Sequence, residues 1–358
     1  MRGKRGLTMK ITKEIGFTPE DTTITRYDPV FFRINREPFR YYGLREDFTR
    51  VPEDVAKATS PAVERMARYT VGGRVRFATD SDYVVLHADV GVHELPFTTT
   101  VVTCWSFDLL KRVNGEWQLA GSFCPSQGEG KDYIESRIFV GEGRKELMIS
   151  FPLFSAIPDF AIALREGSNV WAPEEYTYPT PVVFYGSSIV HGSCAGRPST
   201  CYPAIVSQLL DTDFISLGFS GAALCEPAII DYIGTLTMSV FVYDYDHNAP
   251  NAEYLEKTHY AGYERFRRAQ PDTPVIMASK PDYYCGDVAE NERRRQIVRA
   301  SYERAVAAGD KNVSYIDGYT FYPDECRHFA SADGCHPNDF GYYLMGKRFA
   351  EEIKKYLK

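Results

Sequence analysis

The stretch from Val183 to Ser193 reads VFYGSSIVHGS: an apolar run ends at a glycine, two serines follow, and a histidine comes three residues later. Ser187 and Ser188 each carry a hydroxyl that can attack an acyl carbon, provided a base takes its proton. The same Gly-Ser-Ser pattern also suits a turn whose hydroxyls only satisfy their own backbone. Far down the chain, SADGCHPNDFG sets Asp333 three residues before His336. A carboxylate there can accept from the ring Nδ1–H, fix the tautomer and leave Nε2 facing a serine. Between these segments, Gly218-Phe219-Ser220-Gly221 offers a flexible backbone turn, and Asp246-His247-Asn248 offers an amide side chain beside an acid and an imidazole. Nucleophile, oxyanion donors, base and orienter together make the inventory of nucleophilic acyl transfer.

These residues act together only if distant segments reach one edge of the fold. After Pro181 the chain holds five short apolar runs, PVVFYG, TDFISLG, SVFVYDYD, TPVIMAS and NVSYIDG, with helical patterns between most of them. The stretch NERRRQIVRASYERAVAAG is one such helix, with Gly309 at its expected end, and Phe349, Ile353 and Leu357 share a face of the last one. Strands alternating with helices predict an α/β fold with a flavodoxin-like, doubly wound parallel sheet. Ligands bind beyond the carboxyl ends of such strands. The candidate residues follow the runs in order, with Lys280-Pro281-Asp282 after the fourth. Glu226-Pro227 reads as a helix start, and the run Glu292 to Arg295 (ERRR) as a solvated helix face.

The first half has a different period. GRVRFATDSDYVVLHADV alternates apolar residues around a Thr-Asp-Ser-Asp turn and is expected to form a hairpin with one buried face. A second hairpin turns at Asn114-Gly115. With ELMISFPLF and FAIAL these strands predict an antiparallel β-sandwich of the jelly-roll kind. The expected division is an N-terminal extension (1–20), the sandwich (21–165), a proline-bearing linker (166–181) and the catalytic domain (182–358). Met9 is an alternative start to Met1.

At residues 180–358 the chain resembles the SGNH (GDSL-type) hydrolases. YGSSIVHG resembles their first block, with Ser187 where Asp is usual, and the resemblance makes Ser188 the nucleophile. SLGFSGAA is similar to the second block, which implies an oxyanion role for the Gly221 amide; Ser216 stands where that block has Asn. DYDHNAP is similar to the third, which implies the same for the Asn248 side chain, although Asp246 replaces its Gly and Ala249 its Asp. DGCHP matches the last block and implies Asp333 and His336 as acid and base. The implied oxyanion hole is thus the Ser188 and Gly221 amides with Asn248, and His247 and Asp246 are expected at the pocket wall. CWSFDLLKRVNGEWQLAG resembles the G-x-D-L-Y region of β-rich domains that precede certain bacterial members, with Ser106 for its Gly and Leu110 for its Tyr. The resemblance implies removal of O-acetyl groups from carbohydrates; acyl transfer to another acceptor and a general short-chain esterase or lipase stay open, as does a decayed sugar-binding protein.

Composition narrows the field. The chain has 358 residues, 44% hydrophobic and 25% charged, with net charge −7. That balance argues against an electrostatic nucleic-acid binder, and no apolar run approaches a membrane span. The eight cysteines form no C-x-x-C pair and read as reduced thiols; no zinc site is expected. His191, His259, His328, His87 and His93 read as structural or surface residues. The start lacks an apolar leader, so a cytoplasmic protein is expected, with no metal or organic cofactor and with a small-molecule or oligosaccharide ester as its partner.

Overall fold

All five apolar runs of the second half are strands, and most of their apolar residues are buried, as a sheet covered on both faces requires. In this computed structural model, which describes residues 8–17, 30–33, 37–89, 91, 94–96, 98–125, 133–281 and 286–358, they are β1 (Tyr178–Gly186), β2 (Thr212–Gly218), β3 (Val240–Asp244), β4 (Val275–Ala278) and β5 (Val313–Ile316). The sheet is parallel throughout, in the order β2-β1-β3-β4-β5. The order reverses beside β1, and a crevice at such a switch point lies over the loops that follow β1 and β3. Long helices Ala252–Ala269, Val288–Ala307 and Asp339–Ile353 start at side-chain caps: Asn251, Asp287 and Asn338 each accept an amide from the first turn. This is the flavodoxin-like order expected from the sequence.

The first half packs two antiparallel sheets face to face. One holds Thr8–Lys10, Asn169–Trp171, Arg74–Thr79, Lys145–Ser150, Phe107–Val113 and Glu116–Phe123 in that order, with Arg40–Tyr42 also on Arg74–Thr79. The other holds Val30–Arg33, Phe160–Leu164, Tyr83–Asp89 and Tyr133–Phe139. Val75, Phe77, Val84, Leu86, Leu109 and Ile149 fill the space between them.

The hairpin at Asn114-Gly115 forms as expected, with φ of 52° and 88° at the two turn residues. The other expected hairpin does not form. Arg74–Thr79 and Tyr83–Asp89 lie in different sheets, and Asp80 and Asp82 hold the corner between them. Asp80 accepts from the Asn169 amide at 2.7 Å, and Asp82 takes a two-pronged contact from Arg165 at 2.6 Å. Alternation around a polar turn suits an arch between sheets as well as a hairpin, so the pattern alone does not separate them.

Two expected boundaries also move. Thr8–Lys10 of the supposed extension pairs with Asn169–Trp171 of the supposed linker, and Ile11 is wholly buried in the sandwich. The linker's last residues, Tyr178–Pro181, already belong to β1. Nor are the two halves separate beads. Val51, Val63, Met66, Tyr69, Leu153 and Phe154 belong to the same apolar cluster as Val183, Ile189 and Phe219. Residues 1–7 of the alternative start, His93, Asp282 and Cys285 lie outside the described residues.

Candidate active site

β1 ends at Gly186, and Ser188 opens a four-residue helix, Ser188–His191. Ser187 is the cap of that helix: its hydroxyl accepts the Ile189 amide at 3.1 Å. That contact occupies Ser187 and leaves Ser188 as the serine presented to the crevice. Gly192 ends the helix at φ 98°. The helix lies hard against β2, where a side chain on Gly218 would come within 2.3 Å of the His191 nitrogen.

His336 meets Ser188 from the other side of the crevice. Its Nε2 lies 2.9 Å from Ser188 Oγ, and its Nδ1 lies 2.8 Å from Asp333 Oδ2. The second carboxylate oxygen of Asp333 accepts the amides of Cys335 at 2.9 Å and of His336 at 2.7 Å. Burial opposes ionisation of Asp333, but the His336 amide and ring and the Cys335 amide outweigh it and hold the carboxyl at about 2. The carboxyl is therefore charged above about pH 2, with one oxygen holding the loop and the other on the imidazole.

The expected oxyanion donors lie on the loops that follow β2 and β3. Gly221 is exposed, with φ 70°, a conformation that favours glycine. Its N–H and that of Ser188 meet no acceptor among the described residues. Asn248 Oδ1 accepts the Ala223 amide at 3.3 Å, so its Nδ2 is the end left to donate.

His247 lies beside His336. Its ring centre is 6.3 Å from that of His336, and its Nε2 contacts Cys335 Sγ at 2.9 Å. Burial, reinforced by the charge of Lys280, pushes its imidazole down to about 3, so it is neutral. Asp246, expected at the wall, is instead completely buried and accepts the Lys280 amide at 3.0 Å. It supports the loop from behind, and burial raises its carboxyl to about 6.

The expected solvated run 292–295 needs a correction. Arg294 is buried, and its Nη1 bonds the carbonyls of Asp246 at 2.9 Å and Ala249 at 2.8 Å, bracing the loop that carries Asn248. Arg295 pairs with Asp317. His191 and His259 are buried structural residues, and His328 is exposed.

Sequence reasoning passed over two further residues. Asp108, the aspartate of the G-x-D-L-Y-like stretch, is fully buried and accepts from the Ser199 amide and hydroxyl and from Arg197, all in the segment after Ser188. Cys194 approaches Asp333 and His336: its sulfur and these two residues offer ligand atoms within 4.8 Å of one another, the one such trio among the described residues. Burial raises that thiol, which donates to Thr98 at 2.9 Å, while Asp333 and His336 are already engaged with each other and with Ser188. No helix among the described residues is long and apolar enough to cross a membrane.

Residues 179–358 match the model of the GDSL-like lipase/acylhydrolase family, and residues 34–170 match that of the GxDLY domain, the N-terminus of SGNH-hydrolase-type esterases. No protein of curated function matches the sequence. A protein from Bacteroides ovatus ATCC 8483 described as a GDSL-like lipase is 24% identical, covering 92% of this chain and 99% of its own, with a TM-score of 0.82. A salicylyl-acyltransferase from a tetracycline biosynthetic pathway is 20% identical over 91% of this chain and 97% of its own, with a TM-score of 0.73. An acetyl xylan esterase from the rumen bacterium Butyrivibrio proteoclasticus is 10% identical over 91% and 98%, with a TM-score of 0.53. At these identities the likeness is one of fold, and it spans both halves of the chain.

Proposed function

We propose that this chain, which belongs to the GDSL-like lipase/acylhydrolase family, is a serine esterase that hydrolyses O-acyl esters of carbohydrates, O-acetyl esters foremost. The observation that carries the reading is the continuous run of contacts from Ser188 Oγ through His336 to Asp333, at 2.9 and 2.8 Å. Ser188 Oγ attacks the ester carbonyl while His336 Nε2 takes its proton, and Asp333 stabilises the resulting imidazolium. The carbonyl oxygen, now negative, is held by the Ser188 and Gly221 amides and the Asn248 side chain. Each such donor is worth about 3 kcal/mol of barrier. His336 returns its proton to the alcohol oxygen as the C–O bond breaks. Water then attacks the acyl-serine, His336 again taking the proton; as the bond from the acyl carbon to Ser188 Oγ breaks, His336 returns that proton to Oγ and the acid leaves. No step needs a metal or organic cofactor. The sugar ester is supported by the fold shared with an acetyl xylan esterase.

The test is a panel of acetyl to long-chain p-nitrophenyl esters with acetylated oligosaccharides, run on wild type, Ser188→Ala and Ser187→Ala. Acetate release by wild type and Ser187→Ala, with loss of several orders of magnitude in Ser188→Ala, is the expected result. Acetyl-ester activity that survives in Ser188→Ala overturns the site. The fold shared with a salicylyl-acyltransferase favours acyl transfer as the second reading. It prevails if an added alcohol acceptor, and not water, takes the acyl group. A fluorophosphonate probe that fails to label Ser188 points instead to a decayed, sugar-binding scaffold.

A further inference from the structure

The histidine next to the nucleophile has work other than proton transfer. His191 is completely buried, and its Nε2 lies 2.6 Å from the Leu153 carbonyl, so that nitrogen carries the proton. Its Nδ1 accepts the Ser220 amide at 3.4 Å. The ring stacks on Phe154 at 4.2 Å with only 5° between the planes. Leu153 and Phe154 belong to the N-terminal half, and Ser220 immediately precedes Gly221 in the oxyanion loop. Burial, with the nearby Arg50 charge adding to it, holds the imidazole well below its usual range. Protonated, it would turn an N–H toward the Ser220 N–H and lose the contact.

Arg50 reaches the same loop independently. Fully buried, it spans the two halves with all its hydrogen bonds on main-chain carbonyls: Tyr69 at 3.0 Å and Met66 at 2.5 Å on its own side, Gly218 at 2.6 Å and Ser216 at 3.3 Å on β2. Its guanidinium also lies 4.6 Å from the centre of the Phe219 ring. The Phe219 amide is tied to the Gly186 carbonyl at 2.8 Å. Gly218, Phe219 and Ser220 are thus each anchored, and the next residue carries the free amide.

We propose that the N-terminal domain sets the geometry of the oxyanion loop through two positioning residues, its own Arg50 and, in the catalytic half, His191, which rests on Leu153 and Phe154 of that domain. The inference rests on the esterase reading above and gives the domain a catalytic purpose beside any sugar contact. A preorganised donor stabilises developing charge only where it is already aimed, and a displacement of about 1 Å far from the chemistry can lower a rate by roughly 100-fold.

The experiment compares Arg50→Lys, His191→Gln and, as a control, Val75→Ala. Val75 is buried in the sandwich core, so its truncation removes stability without touching the loop. Kinetics on an acetyl ester are measured well below each protein's melting point, together with inhibition by a trifluoromethyl ketone that forms a tetrahedral adduct on the serine. The expected result is kcat lower by about 10- to 100-fold in Arg50→Lys and His191→Gln, with KM within about twofold and ketone affinity falling in step with kcat/KM. Val75→Ala keeps wild-type kcat and ketone affinity. If His191→Gln does not fold, Arg50→Lys decides alone. Wild-type kcat in the folded positioning variants, or losses equal to those of Val75→Ala, overturns the inference. A wild type inactive on every ester refutes the esterase reading instead, and the two failures are distinguishable on the same plate.

Discussion

Asp108→Ala is expected to loosen both the join between the halves and the base side of the site. The carboxylate is completely buried, and one oxygen takes the Ser199 amide at 2.9 Å, the Ser199 hydroxyl at 2.6 Å and Arg197 at 3.1 Å; the other takes Ser122 Oγ at 2.8 Å. Ser199 is itself buried, so its amide would be stranded, at about 1–3 kcal/mol for a buried unsatisfied donor. The Arg197 side chain is 28% exposed and can turn to water, which limits its share to about 1 kcal/mol. With the hydroxyl contacts the total is about 3–5 kcal/mol, the range for breaking a buried charged contact by removing one partner. The disturbance also has a route to His336. Gly196 and Thr200, on either side of this segment, bond Asp339 at 2.7 and 2.6 Å, three residues past the base. Urea unfolding gives the stability, and a double-mutant cycle with Ser199→Ala isolates the pair, with an expected coupling of about 1–2 kcal/mol. A loss below about 1 kcal/mol for Asp108→Ala, or additive single mutants, refutes this account of the join.

Three further outcomes follow from the site. In Asp333→Asn the amide faces His336 with the wrong hydrogen-bonding character, and kcat on p-nitrophenyl acetate should fall by roughly 10³- to 10⁴-fold at little changed KM; a loss under tenfold would assign the orienting role elsewhere. Arg294→Met strands the carbonyls of Asp246 and Ala249, which should lower stability by about 2–4 kcal/mol and kcat by roughly tenfold as Asn248 shifts, measured by urea unfolding and initial rates. For Asp246 the sign is set by its raised carboxyl, about 6 against an ordinary 3.8. The folded state holds the proton more tightly, so this group's contribution to stability falls as pH rises from about 4 to about 6 and is flat above, a change of up to ~3 kcal/mol. Urea midpoints of Asp246→Asn against wild type across that window should show this slope removed, and an identical slope in both would refute the assignment.

The parallel sheet was legible because each of its strands carries its own signal, an apolar run followed by a polar turn, and the helices between them leave few ways to connect it. The sandwich was legible as a class but not in its pairings. Arg74–Thr79 and Tyr83–Asp89 read the same as a hairpin or as an arch, and the choice is made by Asn169 and Arg165, some eighty residues further on. Thr8–Lys10 is too short for a period to show, and it becomes a strand only because Asn169–Trp171 offers an edge.

At the site the same division follows from where the partner atoms are. Ser188, Asp333 and His336 engage one another through side chains, and side chains are what a sequence spells out. Arg50, Arg294 and His191 place their hydrogen bonds chiefly on main-chain carbonyls and amides, which every residue possesses and no letter marks. Arg294 therefore looked like one charge among the others in ERRR, and His191 like a spare histidine beside a serine. Only the fold reveals that they reach the backbone of the two loops bearing Asn248 and Gly221, His191 with its other nitrogen on the Leu153 carbonyl. A buried cation with carbonyl acceptors alone is costly to desolvate, so such a placement persists only where the loops must be held still. On that ground Arg50 belongs with the proposed reaction as much as with the core; Arg294, which also pairs with Glu290 at 3.1 Å, joins it by bracing the loop of Asn248.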